Sequence, residues 1–176
     1  MKKIVLFIAL TIITLGLNAQ DEGHVNWMGF EEAVKLNEKT PKKILVDVYT
    51  DWCGWCKRMD KDTYMHKEIV SYINKNYYAV KLNAEMKDTV RFKDVVFVSQ
   101  PGGRRATHQL AISLLDSKMS YPTTIFLDEN FNLLTRAPGY LDAKKIEPIL
   151  HFFNTNKHLE LPYVDFTKNF ESRIKP

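Results

Sequence analysis

The sequence is short of cysteine: Cys53 and Cys56 are the only two in 176 residues. No second C-x-x-C exists, and His24, His66, His108, His151 and His158 contain no H-x₃₋₅-H pair. A zinc centre of the common four-ligand kinds therefore has only two of its ligands in view. A large charge of one sign is lacking too. The formal net charge is +4, and two of the positive charges are Lys2 and Lys3. Beyond residue 19 the chain carries 23 basic and 21 acidic residues, too mild a balance to imply nucleic acid or an anionic membrane as partner. Low-complexity stretches and internal repeats are absent. With 45% hydrophobic and 12% aromatic residues, the chain has enough for a real core and does not read as disordered. Its length argues for one domain.

The long apolar run is Ile4–Leu17, 14 uncharged residues. A spanning helix needs roughly 20. Preceded by Lys2 and Lys3 and followed by Asn18-Ala19, the run reads as a secretory signal peptide over residues 1–19, cut after Ala19. No cysteine follows the cut, so lipid anchoring is not expected. The expectation is a periplasmic or otherwise extracytoplasmic protein without a membrane anchor after cleavage, working where disulfides persist.

Along the rest of the chain, Trp27, Phe30, Ala33, Val34 and Leu36 recur at roughly helical spacing. Glu31 and Glu32 at the start and Lys35 and Lys39 at the end suit the helix dipole, and Thr40-Pro41 stops the helix. Residues 44–50 form a near-continuous apolar run, the pattern of a strand buried on both faces. A helix over 54–64 follows, then a further turn or two around Ile69, Val70 and Ile73, then a strand over 77–82. Residues 89–98 suggest a hairpin turning at Lys93-Asp94. Pro101-Gly102-Gly103 is a loop, and 107–115 reads as a helix with Leu110, Leu114 and Leu115 inward. Strands over 123–127 and 133–137 pair through Asp128-Glu129-Asn130. Asp142 is a candidate N-cap for a helix to about Phe153, with Ile146, Ile149, Leu150 and Phe153 on one face. Pro148 inside it predicts a kink. The tail carries Leu161, Tyr163, Phe166 and Phe170, too apolar to hang free.

The cysteine pair admits three readings. A metal would have only two cysteine ligands and no paired histidines. A purely structural disulfide would close a very short loop and gain little by loop entropy. Redox chemistry explains the placement better. Cys53 falls where a buried strand ends and a helix begins, facing unpaired N–H groups and the positive end of the dipole, which favour a thiolate. The thiolate is the attacking species in thiol–disulfide exchange. On this reading Cys53 is the nucleophile and Cys56, one turn in, is the resolving thiol.

At these residues the sequence resembles the thioredoxin family. ILVDVYTDWCGWCK is similar to that family's strand and active-site turn, including the Trp before the first cysteine. SYPTTIFLD is similar to its cis-proline loop and following strand, Ala137-Pro138-Gly139-Tyr140-Leu141 to the glycine ahead of its last helix, and Lys81-Leu82-Asn83 to the end of its second central strand. The resemblance implies an α/β thioredoxin fold, a central mixed β-sheet flanked by helices on both faces, over residues 26–155. An insertion at about 86–112 precedes the cis-proline loop, and the tail 156–176 packs on the domain. It implies a Cys53–Cys56 redox disulfide and a proton-moving role for Asp47, whose burial in ILVDV is costly without a purpose. Lys81 matches the lysine paired with that acid. Pro122 matches the cis proline, Tyr121 would offer backbone hydrogen bonds to a substrate chain, and Trp52 and Trp55 would form an apolar lip.

The implied activity is that of a thiol–disulfide oxidoreductase acting on cysteines of exported proteins with an unidentified redox partner. Neither a metal nor an organic cofactor is expected, and the chain reads as a monomer. Reductase or isomerase chemistry is favoured, since no dedicated dimerisation segment or large helical insertion is visible. The alternatives are a non-catalytic binding or chaperone module and a thiol carrier in cytochrome or metal-site maturation. Two departures stand out. Gly54-Trp55 replaces the Gly-Pro or Gly-His of the best-known relatives, so redox direction is not transferable; C-G-W-C is closer to exported relatives of the C-terminal redox domains of electron-transferring membrane proteins. In addition, 65 residues separate Cys56 from Pro122, with the excess near 86–112. That excess, with Arg104 and Arg105, is expected near the active-site end as a tuner of partner choice.

Overall fold

The computed structural model describes residues 23–175; the expected signal peptide lies outside them. The elements in order are β1 (Trp27–Met28), α1 (Phe30–Lys39), β2 (Lys43–Tyr49), α2 (Gly54–Asp62), α3 (Lys67–Asn76) and β3 (Tyr77–Asn83). They continue with β4 (Val90–Phe92), β5 (Val95–Phe97), α4 (Gln109–Leu115), β6 (Thr123–Leu127), β7 (Leu133–Pro138), α5 (Ala143–Asn154) and α6 (Tyr163–Lys168). Five strands form one sheet in the order β1-β3-β2-β6-β7. β3 runs parallel to both β1 and β2, while β6 is antiparallel to β2 and β7. The sheet is therefore mixed, as expected, and helices cover both faces.

The period of two along the central strands sorts the core into halves. Ile44, Val46 and Val48 of β2 and Tyr78, Val80 and Leu82 of β3 face one way, onto Phe30 and Ala33 of α1 and Leu110, Ala111 and Leu115 of α4. Leu45, Tyr77 and Ala79 face the other way, onto Met59 of α2, Ile69, Val70 and Ile73 of α3 and Ile146, Leu150 and Phe153 of α5. Asp47 and Lys81 continue this second series, and the β2–β3 register sets them directly opposite each other. One strand period thus delivers an acid and a base to the same face.

Trp27 departs from expectation. It is not on the first helix but in β1, paired with Ala79, its ring edge-on to Tyr64 at 4.9 Å. Its spacing to Phe30 fits a helix, but the free edge of β3 offers its backbone partners, and the helix begins after Gly29. The cap at Asp142 is as expected, its carboxylate accepting the Lys145 N–H at 2.9 Å. Pro148 is contained within α5, and Ile149 is only half-buried there. The chain after α5 packs back on it: Phe152 of α5 meets Tyr163 and Phe166 of α6, and Glu147 of α5 accepts the Ser172 hydroxyl and the Arg173 N–H.

Candidate active site

The turn from β2 into α2 places both sulfurs. Cys53 is the N-cap of α2, in extended conformation, and its Sγ accepts the Cys56 N–H at 3.1 Å. The first turn of α2 contains no acid to offset the positive end of the dipole. The two sulfurs are joined at 2.07 Å; Cys53 is 5% and Cys56 1% exposed, so the outer sulfur is the one a partner can reach. In the reduced form the same cap position favours a Cys53 thiolate.

Tyr121-Pro122, with a cis peptide bond, leads into β6. Its far side is tied down by Gly139, whose N–H donates to the Pro122 carbonyl at 2.8 Å. Gly139 has φ +90°, a conformation that a side chain would disfavour. The residue pattern Ala-Pro-Gly ahead of α5 thus anchors the proline loop.

Two aromatic–cation groups form the rim. Trp52 is 53% exposed; its indole N–H donates to Glu85 at 2.9 Å, its ring stands edge-on to Tyr121 at 5.9 Å, and the Arg105 guanidinium lies over it at 5.4 Å. Trp55 is 56% exposed and leans on Tyr140 at 5.5 Å, with Arg58 over both rings. Arg58 also donates to Asp62 at 3.1 Å. Glu85 and Tyr140 escaped sequence reasoning as site residues because they meet Trp52 and Trp55 from segments far apart in the chain; Arg58 reads as part of the exposed side of its helix, although it lies three residues after Trp55 on that helix.

Asp47, buried on β2, belongs to a group of three charges with the half-buried Lys81 and Asp60. Asp47 accepts from the Lys81 ammonium at 2.5 Å, and Lys81 donates equally to Asp60 of α2. Trp27, Tyr49 and Tyr64 surround the ammonium at 4.8, 5.0 and 5.6 Å from ring centroid to nitrogen. Asp47 Oδ1 has no hydrogen-bond partner among the described residues. Burial pushes the Asp47 carboxyl up to about 6, and Lys81 offsets this only in part. Burial alone would lower Lys81, but Asp47 and Asp60 hold it above its ordinary value. Asp60 was not singled out from the sequence. The available signal was its position, four residues after Cys56 and therefore one turn along the same helix face.

The insertion reaches this site by its base. The His108 N–H donates to the Ala84 carbonyl at 2.7 Å, closing the excursion next to Glu85. The buried His108 ring accepts the Leu110 N–H at Nδ1 and meets the Asp88 carbonyl at Nε2, and burial lowers its pKa. The β4–β5 hairpin lies away from this closure, with Phe92 packed on Phe30 of α1 at 5.3 Å.

A thioredoxin-like domain family matches residues 30–154. An uncharacterized protein of Archaeoglobus fulgidus is 29% identical over 82 residues, 47% of this chain and 65% of its own length. The thiol:disulfide interchange protein DsbD of Photorhabdus laumondii is 23% identical over 137 residues, 77% of this chain. The chain spans only 19% of that protein's length. Among solved structures, a thioredoxin-fold protein from Helicobacter pylori superposes with a TM-score of 0.56 at 19% identity, over 85% of this chain and 84% of that one. No helix among the described residues is long and apolar enough to cross a membrane.

Proposed function

The chain belongs to the thioredoxin-like domain family, and from that premise we propose that it is an exported thiol–disulfide oxidoreductase exchanging disulfides with cysteines of extracytoplasmic proteins. The observation that carries the reading is the outer sulfur at the α2 N-terminus, joined to a buried partner, with the ring of Tyr121, which precedes the cis proline, edge-on to the adjoining Trp52. In the reducing direction the Cys53 thiolate attacks one sulfur of a substrate disulfide. A mixed disulfide forms and one substrate thiolate leaves. Cys56 then loses its proton and attacks Cys53 Sγ, closing the ring and releasing the second substrate thiolate. Two electrons pass from the dithiol to the substrate, and the released thiolates take up protons from water.

Asp47 is the acid–base group for the second step. A carboxyl poised near 6, with one oxygen that has no partner among the described residues, suits proton acceptance near neutral pH. Lys81 of β3 links it to Asp60, which lies one turn after Cys56 on α2. Trp52, Trp55 and Tyr121 supply the apolar rim for a substrate chain. We favour reductase or isomerase chemistry, recharged by a dithiol partner. The Ile4–Leu17 run behind Lys2-Lys3 supports export; N-terminal sequencing of the mature protein should begin at Gln20, and an unprocessed cytoplasmic chain would refute that part.

Dithiothreitol-driven insulin reduction tests the activity. The wild type should precipitate insulin, and Cys53→Ser should match the uncatalysed rate. Equal rates for the two proteins would overturn the enzyme reading and favour a binding module. Cys56→Ser should accumulate mixed disulfides whose partners name the substrate.

A further inference from the structure

The two cation-bearing tryptophans beside the disulfide differ in one respect. Arg58, over Trp55, is already neutralised: Asp62 accepts from it, and the same Asp62 oxygen lies 3.4 Å from the Tyr140 hydroxyl. Arg105, over Trp52, has no carboxylate within ion-pair distance among the described residues. The nearby acid, Glu85, is taken up at the edge of the indole by its N–H, not by the guanidinium on the face.

Arg105 is also held in place. It ends the 3₁₀ turn Gly103–Arg105, whose following residue, Ala106, is buried. The next residues are clamped by Gln100 N–H to the Thr107 carbonyl at 3.0 Å and by the His108–Ala84 bond. Trp52 is fixed from two other sides by Glu85 and Tyr121. The insertion therefore delivers an exposed guanidinium to the residue preceding the nucleophile and supports it on an aromatic face. A planar guanidinium so held is suited to two-point recognition of a carboxylate.

We propose that Arg105 selects substrates carrying an acidic side chain beside the target cysteine, on the side that meets Trp52. The proposal rests on the oxidoreductase reading and specifies its substrate class. The partner's carboxylate lies on the guanidinium while its cysteine faces Cys53, so the insertion acts in specificity and not in electron transfer.

The test uses disulfide-linked peptide substrates that differ only in Glu, Gln or Lys at each of the two positions on either side of the cysteine. Initial rates are measured at 20 and 500 mM salt with dithiothreitol as reductant. At one position at least, the wild type should prefer Glu over Gln by about fivefold at low salt, with most of the preference lost at high salt. Arg105→Gln should bring that ratio to about one, and Arg105→Glu should turn the preference towards Lys. A Glu-to-Gln ratio near one at every position in the wild type, or a ratio unchanged in Arg105→Gln, overturns the proposal while leaving the oxidoreductase reading standing. Failure to turn over any peptide overturns both.

Discussion

β2 buries a charge near each end, and the fold treats the two differently. At its start, Lys43 is 3% exposed, and its ammonium donates to Glu129 at 2.7 Å and to Asn156 at 2.8 Å. Burial alone would raise the Glu129 carboxyl, but the bond and charge of Lys43 hold it below its ordinary value. Near the other end, Asp47 shares a lysine with Asp60, and one of its oxygens has no partner among the described residues. Its carboxyl rises to about 6. The first arrangement is a latch tying β2 to the β6–β7 turn and the region after α5. The second is under-compensated, which keeps a proton exchangeable near neutral pH at the expense of stability. Equal burial on one strand thus gives a latch where partners suffice and, on the proposed function, an acid–base group where they do not.

The largest expected effect breaks the latch. Glu129→Ala leaves the Lys43 ammonium buried with Asn156 alone and should cost about 3 kcal/mol of unfolding free energy. Urea denaturation measures it. Insulin-reduction rates below the melting range should be unchanged. A loss under 1 kcal/mol would mean that Lys43 finds water on Glu129 removal, and the contrast between the two ends would fail.

The second effect has the opposite sign. The native Asp47 carboxyl lies above the ordinary 3.8. Its neutral form therefore contributes stability that is complete below pH 3.8 and is lost as pH rises through about 6. Asp47→Asn does not ionise. It should match the wild type near pH 3.5 and exceed it by on the order of 2–3 kcal/mol above pH 7. The same variant should slow resolution of a preformed mixed disulfide by about 10²-fold at pH 7 and abolish the rate inflection near pH 6. Stability gained with the inflection retained would remove Asp47 from the proton path.

How much of this contrast was legible beforehand follows from what sequence period can encode. An aspartate within ILVDV is visible as an anomaly in a buried strand, and C-x-x-C at the strand end marks the cap. The strands over 77–82 and 123–127 and the Asp142 cap follow from β-branched runs and turn residues. Partnership across elements was harder to read. That Lys81 faces Asp47 depends on the β2–β3 register, and that Asp60 shares the lysine depends on how α2 docks. Lys43, just before the apolar run, carries no signal in the sequence, since its two partners lie 86 and 113 residues away. Trp27 was drawn into the first helix by spacing alone. The region after Asn154 showed its apolar residues but not its use of Glu147.

That last carboxylate offers the smallest and most local sharpening of the contrast. Glu147 is buried on α5, like Asp47 on β2, yet both its oxygens have donors, the Ser172 hydroxyl and the Arg173 N–H at 2.8 Å. It belongs with Lys43 as a satisfied buried group, except that its donors come from the irregular segment after α6. Ser172→Ala removes one donor and leaves the other, so the loss should be about 1 kcal/mol, the size of a single hydrogen bond. Because the bond holds the irregular segment after α6, the opening should be local: cleavage after Arg173 by trypsin should quicken about fivefold, while the unfolding midpoint shifts little. If trypsin sensitivity stays at the wild-type level, Ile174, buried beside the same segment, holds the end without Glu147, and burial with full partners would then be no guide to a latch.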